Sequence, residues 1–287
     1  MRKGVLRVSG PWEDAFGVAA PPSAPTGARR WAQAVDLGAR GRAAAARTII
    51  DELVNDRRTA VSVVSLALAT RASLTRQAGR HASARVDDGA ALSVLARCAH
   101  DEWTTAARVD ALIGLAADAL GIGDFGGSRR LLDRAEAELR RRGTGRGGAD
   151  RPQWVVDGRL GLREAWVRTE LALYSGDATA GGLAAEAAER AESAPSSRHR
   201  TKTSLIVAAA TAASGDGEVA AVEAARIAGT CEAAGLLPLE WAARTMLAGL
   251  RDDPEESGKV ADLQAKLASR GMAFVPLTGS TTSDRYA

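Results

Sequence analysis

From residue 28 onward, apolar side chains recur every three or four positions, and each run stops at glycine. Val109, Leu112, Ile113, Leu115, Ala116, Ala119 and Leu120 form one run; beyond a Gly121 to Gly127 turn, Leu131, Leu132, Ala135 and Leu139 form the next. Such spacing places each set on one face of an α-helix, so it predicts two amphipathic helices folded back on one another. The arrangement is legible five times, with turns at Gly41, Gly79, Gly123, Gly176 and Gly215. The turns are 38, 44, 53 and 39 residues apart, which fits divergent hairpins and excludes strict tandem copies. A lone hairpin leaves one apolar face uncovered, so the hairpins must stack.

Trp31, Ala34, Val35 and Leu37 lead to the first turn, and Ile49, Ile50 and Leu53 follow it. In the second hairpin, Val86, Asp87, Asp88 and Gly89 interrupt the return helix and predict a weak element. The fourth runs from Trp154 through Trp166 to Gly176 and returns over an alanine-rich stretch; the fifth carries Leu205, Ile206 and Ala208 before Gly215. Pro238 then opens a helix with Trp241 and Leu247, and a last helix holds Val260, Leu263 and Leu267. These two predict a C-terminal cap. The expected organisation is a flexible segment over 1–27, where Pro21, Pro22 and Pro25 break any long helix; a repeat domain over 28–250; and a capping helix with a frayed tail over 251–287. A glycine-rich loop at 143–152 is expected to divide the repeats.

With the turns aligned, the units resemble tetratricopeptide repeats, in which small residues alternate with bulky apolar ones around a Gly-Asp type turn. Those places are filled by Ala34, Gly41, Ala46, Ile50 and Leu53; by Ala72, Gly79, Ala84 and Ala91; and by Ala116, Gly123, Asp124, Ser128, Leu132 and Ala135. The last two units supply Gly176, Asp177, Ala185 and Ala188, then Ala208, Gly215, Asp216, Ala220, Ala224 and Ile227. The usual aromatic near the end of the first helix is missing, with Leu37, Thr75, Ala119, Ala172 and Thr211 in its place, and Asp88 stands where an apolar residue is usual. The resemblance covers roughly 28–250 and implies an all-α superhelix, a solenoid of about five hairpins plus capping helices, whose first helices line a concave face.

Composition supports the all-α class. Hydrophobic residues make up 46% of the 287 positions but aromatics only 4%, so alanine carries much of the core and helices must approach closely. Cys98 and Cys231 stand far apart, which fits a reducing, cytoplasmic setting, and the longest apolar run, 205–213, is half a membrane span. A net charge of +3 is too small to dictate a polyanionic partner.

On the implied concave face, the long polar and aromatic side chains are Trp31, Ser73, Arg76, Gln77, Asp110, Arg163, Trp166, Glu170 and Lys202. Arginine grips carboxylates bidentately and tryptophan buries much area, so this set predicts a groove for a protein or peptide, with Arg76, Arg163 and Lys202 against an acidic segment. A small ligand in the same groove, as in a sensor module, is the alternative. Arg129, Arg130, Arg134, Arg140, Arg141, Arg142, Arg146 and Arg151 are basic but lack a stacking platform, as do Arg198, His199, Arg200 and Lys202, so nucleic acid is not the expected partner. The alternating Arg and Glu of 163–170 read as an exposed helical face. Cys98, His100, Asp101 and Glu102 point different ways on a helix end, with Asp101 suited to cap the third hairpin; the glycines of 143–148 lack the lysine of a phosphate loop. The expectation is therefore a non-catalytic scaffold with no cofactor and no metal.

Overall fold

The computed structural model describes residues 10–143 and 154–274, and among these every regular element is helical. A short leading helix, α1 (Pro11–Phe16), precedes six hairpins. They pair α2 (Ala28–Ala39) with α3 (Ala43–Asn55), α4 (Val61–Gln77) with α5 (His81–Ser93), and α6 (Glu102–Gly121) with α7 (Phe125–Gly143). Next come α8 (Gly158–Ser175) with α9 (Ala180–Glu192), α10 (Ser197–Ala213) with α11 (Gly217–Ala234), and α12 (Leu237–Arg251) with α13 (Pro254–Ser269). No helix among the described residues is long and apolar enough to cross a membrane. The loop expected at 143–152 and the tail beyond 274 fall almost wholly outside the described residues.

All five expected turn glycines adopt positive φ, between 68° and 101°. At each turn the same hydrogen bond closes the helix end: Arg42, Arg80, Asp124, Asp177 and Asp216 donate their N–H to the carbonyls of Leu37, Thr75, Ala119, Ala172 and Thr211. This six-to-one bond satisfies a carbonyl that the helix cannot, and it requires a left-handed residue just before the donor. Asp252, at φ 49°, takes that conformation in the sixth hairpin.

Small residues on the return helices are sealed, with Ala46, Ala84, Ser128 and Ala220 fully buried. The fourth unit departs. Asp177 Oδ1 accepts from the Thr179 amide and hydroxyl, the turn lengthens, and α9 starts four residues after its glycine instead of two. The buried positions are consequently Ala184, Ala187 and Ala191, while Ala185 is exposed and Ala188 only half-buried.

Each even-numbered helix from α2 to α12 packs against the next, and α12 returns to α2, so the array closes on itself. The seam is held by Ala44 N–H donating to the Arg270 carbonyl at 2.8 Å, Arg47 donating to the Gly271 carbonyl, and Arg80 Nε donating to the Ala273 carbonyl at 3.1 Å. Leu267 is fully buried against Gly41, where an added Cβ would lie 2.5 Å from its methyl. The expected C-terminal cap therefore joins the first hairpin.

The N-terminal segment overturns the expectation of a flexible 1–27, as far as residue 10. Pro11 sits at the first helical position of α1, Trp12 and Phe16 are buried, and the prolines end in turns, with Ala24 and Ala28 N–H donating to the carbonyls of Pro21 and Pro25. Phe16 lies 5.1 Å from Trp31, and Trp12 lies 6.2 Å from Trp31 and 6.3 Å from Trp103. Two aromatics four residues apart supply enough apolar area to hold so short a helix, which neither periodicity nor propensity could reveal. Because these partners stand at the starts of α2 and α6, α1 covers the end of the array where the parallel inner helices begin.

Phe16→Ala should lower the unfolding free energy by about 3–5 kcal/mol in a denaturant titration; a change near zero would mean that α1 is not packed. Gly215→Ala has free space and should cost only the backbone strain of a left-handed alanine, roughly 1–2 kcal/mol. Gly41→Ala adds the collision with Leu267, and a loss no greater than that of Gly215→Ala would contradict the closed seam.

Candidate functional site

Inner helices rich in alanine and glycine cannot fill the middle of the ring. A cavity of about 370 Å³ remains there, walled by α2, α4, α6, α8, α10 and α12, with Met272 the one wall residue outside them. Val35, Leu74, Ile113, Val167 and Leu205 give it an apolar side. All nine residues expected on the concave face lie on this wall: Trp31, Ser73, Arg76, Gln77, Asp110, Arg163, Trp166, Glu170 and Lys202. Two of the tryptophans are oriented by threonines, Trp31 Nε1 donating to Thr70 Oγ1 at 2.9 Å and Trp166 Nε1 to Thr203 Oγ1 at 2.8 Å.

Charge is concentrated at the end covered by α1. Asp110 of α6 receives Arg159 Nη2 at 3.0 Å and also pairs with Arg163, both from α8. Arg159 stacks its guanidinium 6.0 Å from the ring centre of Phe16 and 5.7 Å from that of Trp31. Burial pulls the Arg159 guanidinium down to about 9 and that of Arg163 to about 10, Arg76 adding repulsion to the latter. Arg198, in the first turn of α10, is drawn to about 10 by burial and then by the charge of Arg159. Its Nε is buried with no hydrogen-bond partner, and among the described residues it pairs with no carboxylate. The nearby Asp36 is already held by Arg40 at 2.9 Å. Arg198 is half-buried and lines the cavity.

His199 beside it is buried, stacked on Trp166 at 5.6 Å and edge-on to Trp154 at 5.4 Å, with Nδ1 2.8 Å from Ser196 Oγ. Burial, then Arg198, Arg159 and Arg163, hold it well below the ordinary imidazole value, so it is neutral at pH 7. Farther along the shaft Lys202 Nζ meets Glu170 at 2.9 Å, and Gln77 is exposed, so the wall opens toward the distal ends of α4 and α8.

A second cluster backs the wall. Arg76 Nε donates to Asp118 at 2.7 Å and its other arm pairs with Asp88, both carboxylates being fully buried. Asp88 is pushed up to about 8, first by burial and, against the pull of Arg76, by the charge of Asp118. Burial pulls Arg76 down, but Asp88 and Asp118 together hold its guanidinium above the usual value. The pair therefore holds one proton over much of the neutral range, and the cluster is close to neutral in net charge. It exists because α6 offers Gly114 opposite Asp88, where a Cβ would lie 2.2 Å from the carboxylate.

Several sequence readings need correction here. The four residues expected to weaken the second return helix lie within a continuous α5, and Asp88 at the usual apolar position is the buried partner of Arg76. Residues 163–170 are not an exposed face, since Arg163 lines the cavity and Glu164 is buried under Arg168. Arg198 and His199 turn inward, while Arg200 of the same basic cluster stays outside. Arg159, missed altogether, stands four residues before Arg163 and thus on the same helical face, across Leu160, Gly161 and Leu162. The side chains of Arg129, Arg130, Arg134, Arg140 and Arg141 are exposed; those of Arg142, Arg146 and Arg151 lie outside the described residues. Asp101 caps α6 by accepting the Thr104 amide at 2.7 Å. No group of three metal-capable side chains occurs among the described residues, and burial lifts the Cys231 thiol to about 11. Comparison with protein-family models, curated proteins and solved structures yields no match.

Folding raises the Asp88 pKa, so its contribution is fully present below about pH 4 and is lost as pH rises to about 8. Asp88→Asn should flatten the fall of melting temperature between pH 5 and 8; an unchanged slope would show that Asp88 does not titrate there.

Proposed function

We propose that this chain is a non-catalytic binding module, a tetratricopeptide-like array closed into a ring, whose central cavity takes a small organic molecule. The observation that carries this reading is a central cavity of about 370 Å³, open toward one end and within the size range of small-ligand sites, lined by aliphatic, tryptophan and arginine side chains. The recurrence of one glycine turn with one hydrogen-bond pattern supports the tetratricopeptide-like description. Two unpaired cysteines support a reducing, cytoplasmic setting.

A small ligand fits better than the acidic peptide segment first expected. An extended peptide needs an open groove, whereas α12 packs against α2 and closes this one. The three cations assigned to an acidic segment already have carboxylates, Arg76 with Asp88 and Asp118, Arg163 with Asp110, and Lys202 with Glu170. A binding rather than a catalytic role agrees with this pairing, since the carboxylates on the wall are engaged by cations and the one histidine is held neutral and stacked.

Ligand-observed NMR with a fragment library tests the reading. Fragments should bind the wild type and be lost in Ala117→Phe, which fills the cavity, while circular dichroism stays unchanged. Binding of long acidic peptides that Ala117→Phe does not impair would overturn it.

A further inference from the structure

The deep end of the cavity is not balanced in charge. Arg159 and Arg163 share one carboxylate, Asp110, and Arg198, close enough to feel the charge of Arg159, adds a third guanidinium whose nearby carboxylate, Asp36, is engaged by Arg40; Lys202 and Glu170 neutralise each other, and Arg76 is matched by the Asp88 and Asp118 pair. His199, packed among them, contributes no negative charge in either protonation state. Two positive charges are left without a counter-ion on a largely buried wall, an arrangement that costs stability unless something compensates it.

The helix ends add to this. α2 and α10 begin at the same end of the ring, neither has an acidic residue in its first turn, and neither has a side-chain cap accepting its free N–H groups. Their positive ends therefore reinforce the guanidiniums. Arg198 is the free member: Arg159 and Arg163 share Asp110, whereas Arg198 has an unpartnered, buried Nε and lies on the cavity wall. Above this end the wall is apolar, with Val35, Ile113, Val167 and Trp166.

We propose that the cavity ligand is a small organic anion, a carboxylate or phosphate on an aromatic or aliphatic body, with its anionic head on Arg198 beside Arg159 and its body against Trp166 and the aliphatic wall. The inference rests on the reading of the cavity as a small-ligand site and names the chemistry of its occupant. A planar guanidinium fork matches both carboxylate and phosphate oxygens, and the neutral imidazole of His199 leaves the charge preference to the arginines. In the absence of ligand Arg198 is a cost to the fold; with ligand it is the anchor.

Isothermal titration and thermal shift with five probes test this: phenylacetate, octanoate, phenyl phosphate, and the neutral phenylacetamide and octanamide. At least one anion should bind wild type and stabilise it where its neutral counterpart does not, and the phosphate and carboxylate arms tell the two heads apart. Arg198→Gln should weaken that anion by roughly 10- to 100-fold, the worth of a charge-assisted hydrogen bond, while the exposed Arg129→Gln leaves it unchanged. Independently of any probe, Arg198→Met should raise the melting temperature of the ligand-free protein by roughly 2–4 °C, because it removes an uncompensated charge. Amides binding as tightly as anions, with loss in Ala117→Phe, would overturn the anion inference and leave the small-ligand reading intact. Failure of all five probes, or a lower melting temperature in Arg198→Met, would overturn the inference; whether fragments bind in an Ala117-dependent way then decides the broader reading separately.

Discussion

Asp110 is the carboxylate on which the middle of this molecule depends. It lies on α6, in the half of the chain before residue 144, and holds two guanidiniums of α8, the first helix of the other half. Arg168 makes a parallel link on the outside, reaching Asp133 at 3.2 Å and Glu136 at 3.0 Å on α7. Remove the Asp110 carboxylate and the guanidiniums of Arg159 and Arg163 would face one another without a counter-ion, an arrangement far more costly than a lost surface pair. The halves are thus joined by charge as well as by apolar packing, and this charge stands at the wall of the central cavity.

That space follows from the residues that build the array. Alanine permits the close approach of each hairpin's two helices, and it makes the inner wall thin. Six inner helices in a closed circuit then leave a hole that only long side chains could occupy. Here those side chains are Trp, Arg, Glu and Lys, and a polar group so placed must find a partner or remain a liability. Most find one on a neighbouring inner helix, so the same contacts that satisfy the charges tie the helices together. Arg198 does not, which makes its place on the wall the feature least explained by folding.

Closure has a second consequence. The seam between the residues that follow α13 and the first two hairpins is made by backbone carbonyls of Arg270, Gly271 and Ala273 accepting from Ala44, Arg47 and Arg80. Sequence patterning carries no trace of such bonds, because any residue offers a carbonyl. The same holds for α1. Its six residues are too few for a periodic signal, and the prolines after it read as disorder, yet Trp12 and Phe16 find Trp31 and Trp103 across the end of the ring. A two-residue longer turn likewise moved the buried face of α9 by a position that alanine-rich sequence could not register.

Sequence by itself determined the helices, their pairing and the five left-handed turns, since these rest on local physics: apolar spacing, and glycine at positive φ. It also placed nine side chains on one wall, because residues on the first helix of every hairpin share a direction. Tertiary structure alone decided that the ends meet, that the groove is a cavity, and which charges neutralise which. Asp88 illustrates the division. In sequence it is a flaw in an apolar pattern, and its sense as the partner of Arg76 depends on Gly114, 26 residues away, leaving room on another helix. Charge balance is a sum over neighbours in space, and the neighbours of Arg159, Arg163 and Arg198 come from helices that only the closed ring brings together.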